Sequence, residues 1–182
     1  MSKVLVVVDM QNDFITGALG TPEARAIVPA VVDYVKQAKE AGDSVIFTLD
    51  THSSNYLRTA EGRALPVEHC IQGTKGHDLI DPLKDLTEGA RVAEKPTFGS
   101  LWLMGELAGM ARAYGTPEGD GIDVEFCGVC TDICVVTNAL LVKTRLPEAK
   151  ISVLSKLCAG ASPEKHKAAL TVMESCQINI IK

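Results

Sequence analysis

The chain has 182 residues, 18 Lys and Arg against 23 Asp and Glu, a formal net charge of −5 and 46% apolar residues. That length fits a single domain, residues 1–182, around a sizeable core. The acidic balance, with no basic stripe, excludes nucleic acid and anionic membrane as expected partners, and no apolar run is long enough to span a bilayer.

In chain order, Met1-Ser2-Lys3 passes directly into Val4 to Asp9. This short apolar run ends in an acid without a small-residue cleavage site, so it reads as a core strand rather than a signal peptide, and a cytoplasmic protein is expected. A helix is expected over Pro29 to Ala41, with Pro29 at its first position and Gly42 just past its end. Ser44 to Asp50 reads as the second strand. The segment Thr51 to Leu86 has little regular pattern, and a loop of that length in a compact domain is usually functional. A third strand, Arg91 to Glu94, precedes a helix over Ser100 to Ala113 and a surface turn from Gly115 to Gly121. Strand Ile122 to Cys127, helix Thr131 to Thr144 and strand Ile151 to Ser155 follow. Ser162 and Pro163 cap and open a last helix to Cys176, and Gln177 to Ile181 is the last strand. The strands are continuously apolar rather than alternating, which implies burial on both faces and a parallel sheet between helices. The expected fold is α/β, doubly wound and mostly parallel with helices on both faces. In such sheets the ligand sits beyond the carboxyl ends of the strands. Asp9, Asp50, Lys95 and the turn after Cys127 all fall at those ends.

Cys134 follows in that turn, in Phe126-Cys127-Gly128-Val129-Cys130-Thr131-Asp132-Ile133-Cys134. A cysteine in the first turn of a helix is expected to be reactive, because the helix dipole and free N–H groups favour the thiolate. With Asp9 and Lys95 it suggests one catalytic crevice, although each residue alone also reads as structural: Asp9 as a cap, Lys95 as a solvated charge. Asp50-Thr51-His52 and Glu68-His69-Cys70 bring two histidines and a carboxylate into one loop, a set able to ligate a divalent metal, with Glu61 a candidate fourth ligand. The alternative is a set of solvated loop residues. His77 and His166 read as ordinary surface histidines. Phe14 and Trp102 can each be read as core aromatics, Trp102 equally as a pocket residue. Cys127-Gly128-Val129-Cys130 offers a rival reading as a redox pair or half a zinc site, but no second pair exists at matching spacing. The other cysteines, Cys70, Cys158 and Cys176, read as packing thiols in a cytosolic chain.

Taken together, these segments resemble the isochorismatase-like cysteine hydrolases, and within them the nicotinamidases. The carriers are Val8-Asp9-Met10-Gln11-Asn12-Asp13-Phe14, Asp50-Thr51-His52, Leu65-Pro66-Val67-Glu68-His69-Cys70, Lys95-Pro96-Thr97-Phe98-Gly99-Ser100 and Gly128-Val129-Cys130-Thr131-Asp132-Ile133-Cys134-Val135, spread from Val4 to about Cys176. The resemblance implies a Rossmann-like three-layer fold, a catalytic Asp9, Lys95 and Cys134, and an oxyanion site from the backbone N–H groups of Cys130 and Cys134. It implies one divalent ion on Asp50, His52, His69 and in some members Glu61, with zinc expected and iron or manganese also suited. It also implies a cis peptide just before Cys130. The implied reaction is hydrolysis of nicotinamide to nicotinate and ammonia through a Cys134 thioester, in NAD salvage, with Phe14, Phe98 and Trp102 lining the ring pocket. Two departures touch that pocket: Leu65 stands where many nicotinamidases have an aromatic residue, and Ser53 where many have proline. Another small-amide or ureido hydrolase on the same scaffold is the first alternative, and a thiol redox or metal-binding protein using Cys127 and Cys130 is the second. Oligomeric state stays open, a homo-oligomer included.

Overall fold

The computed structural model describes residues 2–182; Met1 lies outside them. Six parallel strands form one sheet: β1 (Ser2–Val8), β2 (Ser44–Asp50), β3 (Arg91–Lys95), β4 (Ile122–Val129), β5 (Lys150–Ala159) and β6 (Asn179–Ile181). Their spatial order is β3-β2-β1-β4-β5-β6. The chain winds outward from β1 through β2 to β3, then returns to lay β4 on the other side of β1. The winding direction reverses between β1 and β4, where doubly wound sheets bind their ligands.

Among the described residues seven α-helices accompany the sheet: α1 (Asn12–Ile15), α2 (Pro22–Glu40), α3 (Ala60–Ala64), α4 (Asp81–Lys84), α5 (Leu101–Ala113), α6 (Val136–Arg145) and α7 (Pro163–Ser175). Side chains alternate across a strand, and β1 shows the consequence. Leu5 and Val7 pack with Ile27, Val31 and Val35 of α2. Val4, Val6 and Val8 pack with Leu103 and Leu107 of α5, Val142 of α6 and Met173 of α7. The expected three-layer arrangement is therefore present. Continuous burial holds for β4 but not for the edges, where β3 exposes Arg91, Val92 and Glu94.

The first long helix starts earlier than expected. Thr21 caps it, accepting from the N–H of Ala24, and Pro22 occupies its first turn, so Pro29 lies inside α2. Pro29 faces solvent, where water can satisfy the carbonyl its missing N–H leaves free. The buried positions Ala24, Ile27, Val31, Val35 and Ala38 continue one apolar stripe across it. Strand β5 is also longer than expected and reaches the site end, pairing Cys158 with Gly128.

Gly128 is fixed by close approach. Its φ is +109°, and a Cβ there would lie 2.2 Å from the carbonyl oxygen of Val8 in β1. Gly128→Ala is expected to cost about 3 kcal/mol and lower Tm by about 6–12 °C in thermal unfolding. An unchanged Tm would mean that the β1–β4 contact yields easily.

Candidate active site

Asp9 follows directly on strand β1 and adopts a left-handed backbone (φ 51°), a conformation Asp tolerates better than most residues. Its N–H donates to the carbonyl of Thr48 at 3.2 Å, and its Oδ1 accepts from Thr48 Oγ1 at 2.6 Å. Lys95 closes β3, two strands away, and is only 1% exposed. Its Nζ lies 2.7 Å from Asp9 Oδ2, 3.2 Å from Asp50 Oδ1 and 3.4 Å from Cys134 Sγ. One buried cation therefore touches two carboxylates and a thiol, each from a different strand end or turn.

Cys134 sits not in an α-helical first turn but in a π-helical turn, Thr131–Val135, that leads into α6. Such bulges recur at functional sites. The Val129–Cys130 peptide is cis. The N–H groups of Ile133 and Val135 both donate to the Cys130 carbonyl. Asn138 anchors the turn: its Nδ2 donates to the carbonyls of Cys134 at 2.8 Å and Phe98 at 3.2 Å, and its Oδ1 accepts from the Ser100 N–H at 2.8 Å.

Helix-start placement does not make Cys134 a resting thiolate. Burial and the negative charge of Asp9 push its thiol well above the ordinary value, and Lys95 only partly offsets them. Burial also raises Asp9, against the pull of Lys95, so its carboxylate is a stronger base than usual. Burial works against the charge on Lys95, but the carboxylates of Asp9 and Asp50 outweigh it and hold the ammonium charged. The resting set is thus a thiol beside a basic carboxylate and a fixed cation.

Asp50 connects this set to a second. Asp50, His52, Glu61 and His69 offer ligand atoms that all lie within 4.8 Å of one another, the group among the described residues that suits a metal. His52 Nε2 lies 3.0 Å from Asp50 Oδ2 and 3.6 Å from Glu61 Oε1, yet this buried nitrogen has no hydrogen-bond partner. His69 Nδ1 is 2.8 Å from the Val67 carbonyl, which fixes the tautomer that leaves Nε2 as a lone-pair donor toward the group. Burial works to raise the Asp50 carboxyl, but His52, His69 and Lys95 outweigh it and hold it well below the usual carboxylate range. Two imidazoles and two carboxylates around an unpaired buried nitrogen fit a divalent cation.

The sequence reading missed several supports. Gln11 Oε1 accepts from the Asp50 N–H, and its Nε2 donates to the carbonyls of Asp50 and His77. Tyr56, fully buried, packs its ring 4.7 Å from His52 and 5.0 Å from His69, centroid to centroid. His77 is not a surface histidine: it is buried, with Nε2 2.9 Å from Thr51 Oγ1. His166 is half-buried, with Nδ1 2.8 Å from Thr131 Oγ1.

Both sets open into one cavity of about 690 Å³, whose lining includes Cys134, Cys130, Asp50, Glu61 and His69. Phe14 and Phe98 line it as expected, but Trp102 does not. Trp102 is 47% exposed on α5, and Leu65 and Ile133 contribute the apolar wall instead. The rival thiol pair has little support. Cys127 is fully buried inside β4, where burial raises its thiol well above the ordinary value, and the Cys130 thiol is pushed up to about 12 by burial. All six cysteines are free. No helix among the described residues is long and apolar enough to cross a membrane.

A family profile described as the isochorismatase domain matches residues 3–182. Among solved structures, a pyrazinamidase of Pyrococcus horikoshii in complex with zinc is 32% identical with a TM-score of 0.82, covering 100% of this chain and 99% of that one. A nicotinamidase/pyrazinamidase from Bacillus subtilis is 29% identical with a TM-score of 0.83, covering 100% of both chains. Among curated proteins, the nicotinamidase/pyrazinamidase of Mycobacterium tuberculosis is 28% identical over 202 residues, 98% of each chain.

Proposed function

The chain belongs to the isochorismatase family, and from that premise we propose that it is a nicotinamidase, hydrolysing nicotinamide to nicotinate and ammonia. The observation that carries this reading is the position of Asp50. One of its oxygens meets Lys95 of the thiol set and the other meets the two histidines, and both sets line the same cavity. Such a site can hold a carboxamide on Cys134 while it engages a ring nitrogen a few ångströms away.

In this reading Asp9 takes the proton from Cys134 Sγ, and Lys95 stabilises the charge as it moves. The thiolate forms a C–S bond to the amide carbon. The backbone N–H groups of Cys130 and Cys134 bind the resulting oxyanion. Asp9 then gives its proton to the amide nitrogen, the C–N bond breaks and ammonia leaves. Water, deprotonated by Asp9, attacks the thioester and releases nicotinate and the thiol. Asp50, His52, His69 and Glu61 would hold one divalent ion, zinc in our reading, with iron and manganese also suited to these ligands. When bound, that ion supplies a Lewis acid for the pyridine nitrogen, directly or through a bound water. Phe14 and Phe98 flank the ring.

Chelation tests the reading. Stripping the ion is expected to lower kcat/KM for nicotinamide by about a hundredfold or more, and to affect benzamide, which lacks the ring nitrogen, far less; added zinc restores the difference. Equal loss on both substrates would assign the ion to structure or water activation. A purified, active protein without stoichiometric metal would remove the site from the account.

A further inference from the structure

The cavity above Cys134 is larger than the substrate proposed for it. Its volume of about 690 Å³ lies in the range that encloses drug-sized ligands, not one ring bearing one carboxamide. Its lining is also divided. Asp50, Glu61 and His69 cluster together and Cys134 is nearly buried, while Leu19, Ala64, Leu65, Phe98 and Ala161 make most of the remaining lining apolar, with Thr21, Thr97 and Lys165 its polar part. Leu65 is 37% and Phe98 46% exposed, so this apolar wall rises to the rim. An apolar rim on a concave site is surface that a ligand gains by covering.

Substrate geometry shows which ring position meets that wall, granted the nicotinamidase reading on which this step rests. In a pyridine-3-carboxamide the ring nitrogen and the carboxamide flank C2. With the nitrogen toward Asp50, Glu61 and His69 and the carbonyl carbon on Cys134, the C2 edge faces the strip between them, which Asp50 and Lys95 occupy. C5, across the ring from C2, then points away from that strip toward the rim. Ala64 and Ala161 are small lining residues, and Leu65 is a larger one exposed at the rim.

We propose that the site accepts pyridine-3-carboxamides bearing an apolar group at C5, seated between Ala64, Leu65 and Phe98, and that Leu65 sets the size of group admitted.

The test compares nicotinamide, 5-phenylnicotinamide and 2-phenylnicotinamide on the metal-loaded enzyme. Release of ammonia is followed on the wild type, and binding by calorimetry on Cys134→Ala. The 5-phenyl compound is expected to bind at least as tightly as nicotinamide and to keep kcat/KM within about tenfold of it; the 2-phenyl compound should lose about a hundredfold or more. Leu65→Trp, which fills the rim, should lower the ratio of 5-phenyl to unsubstituted kcat/KM by about thirtyfold. If nicotinamide is hydrolysed but the 5-phenyl compound neither binds nor reacts, the inference falls and the nicotinamidase reading stands. Equal handling of the 2- and 5-phenyl isomers, or a ratio indifferent to Leu65→Trp, also overturns it. If no pyridine carboxamide is hydrolysed, the reading beneath it fails too.

Discussion

Cys134→Ala is expected to abolish nicotinate production, with a loss of at least about ten-thousandfold in kcat, while the protein stays folded and still binds substrate. The size follows from the role: without Sγ there is no nucleophile, and losses of this order accompany removal of a covalent centre whose surroundings remain intact. Folding should survive because the substitution removes one buried sulfur, and Lys95, its 3.4 Å neighbour, keeps both carboxylates, at 2.7 and 3.2 Å. The Asn138 bonds that hold the turn reach backbone carbonyls and are untouched. Cys130→Ala provides the contrast. Cys130 borders the same cavity, but its assigned contribution is a backbone N–H that alanine also carries, so its effect should be mild. An inactive Cys130→Ala beside an active Cys134→Ala would reverse the assignment of the nucleophile.

Asp9→Asn and Lys95→Ala are each expected to lower kcat/KM by at least about a hundredfold, the scale for a general base or the charge that supports it. The two act on one proton and one thiolate, so the double variant should be little worse than the weaker single one. Losses that multiply in full would show two independent roles. The two variants differ in stability. Asparagine nearly preserves the shape of Asp9 and leaves Lys95 paired with Asp50. Lys95→Ala leaves the buried Asp9 carboxylate without its cation, at a cost of about 3 kcal/mol or more, so its activity is best read beside its thermal unfolding curve.

The sheet and the strand-end residues were legible in the sequence because buried parallel strands are apolar runs punctuated where they leave the sheet. Asp9, Asp50 and Lys95 are those punctuation marks, and the fold gathers them at one end. The metal group was legible for a similar reason: His52 and His69, two of only four histidines, flank Glu61 in the loop that follows Asp50. Features fixed by long-range packing were hidden. Nothing local marks Tyr56 as the support of both histidines, and nothing local marks His77 as buried, with Nε2 beside Thr51 Oγ1, 26 residues earlier in the chain. Trp102 misled because an aromatic near a site-bearing segment can face either way on a helix, and here it faces solvent. Pro29 misled because a proline looks like a helix start, whereas the capping hydroxyl of Thr21 and an unbroken apolar stripe carry α2 through it. The expected thiolate failed on magnitude: a dipole effect within one turn does not offset near-complete burial beside a carboxylate.

If turnover runs through an acyl-enzyme on Cys134, product partitioning reveals it. Turnover of nicotinamide and of methyl nicotinate is followed in the presence of hydroxylamine, which competes with water for the thioester. The same ratio of nicotinohydroxamate to nicotinate is expected from both substrates at each hydroxylamine concentration, because both pass through one nicotinoyl thioester. Different ratios from the two substrates, or hydrolysis of both with no hydroxamate at any concentration, would contradict it.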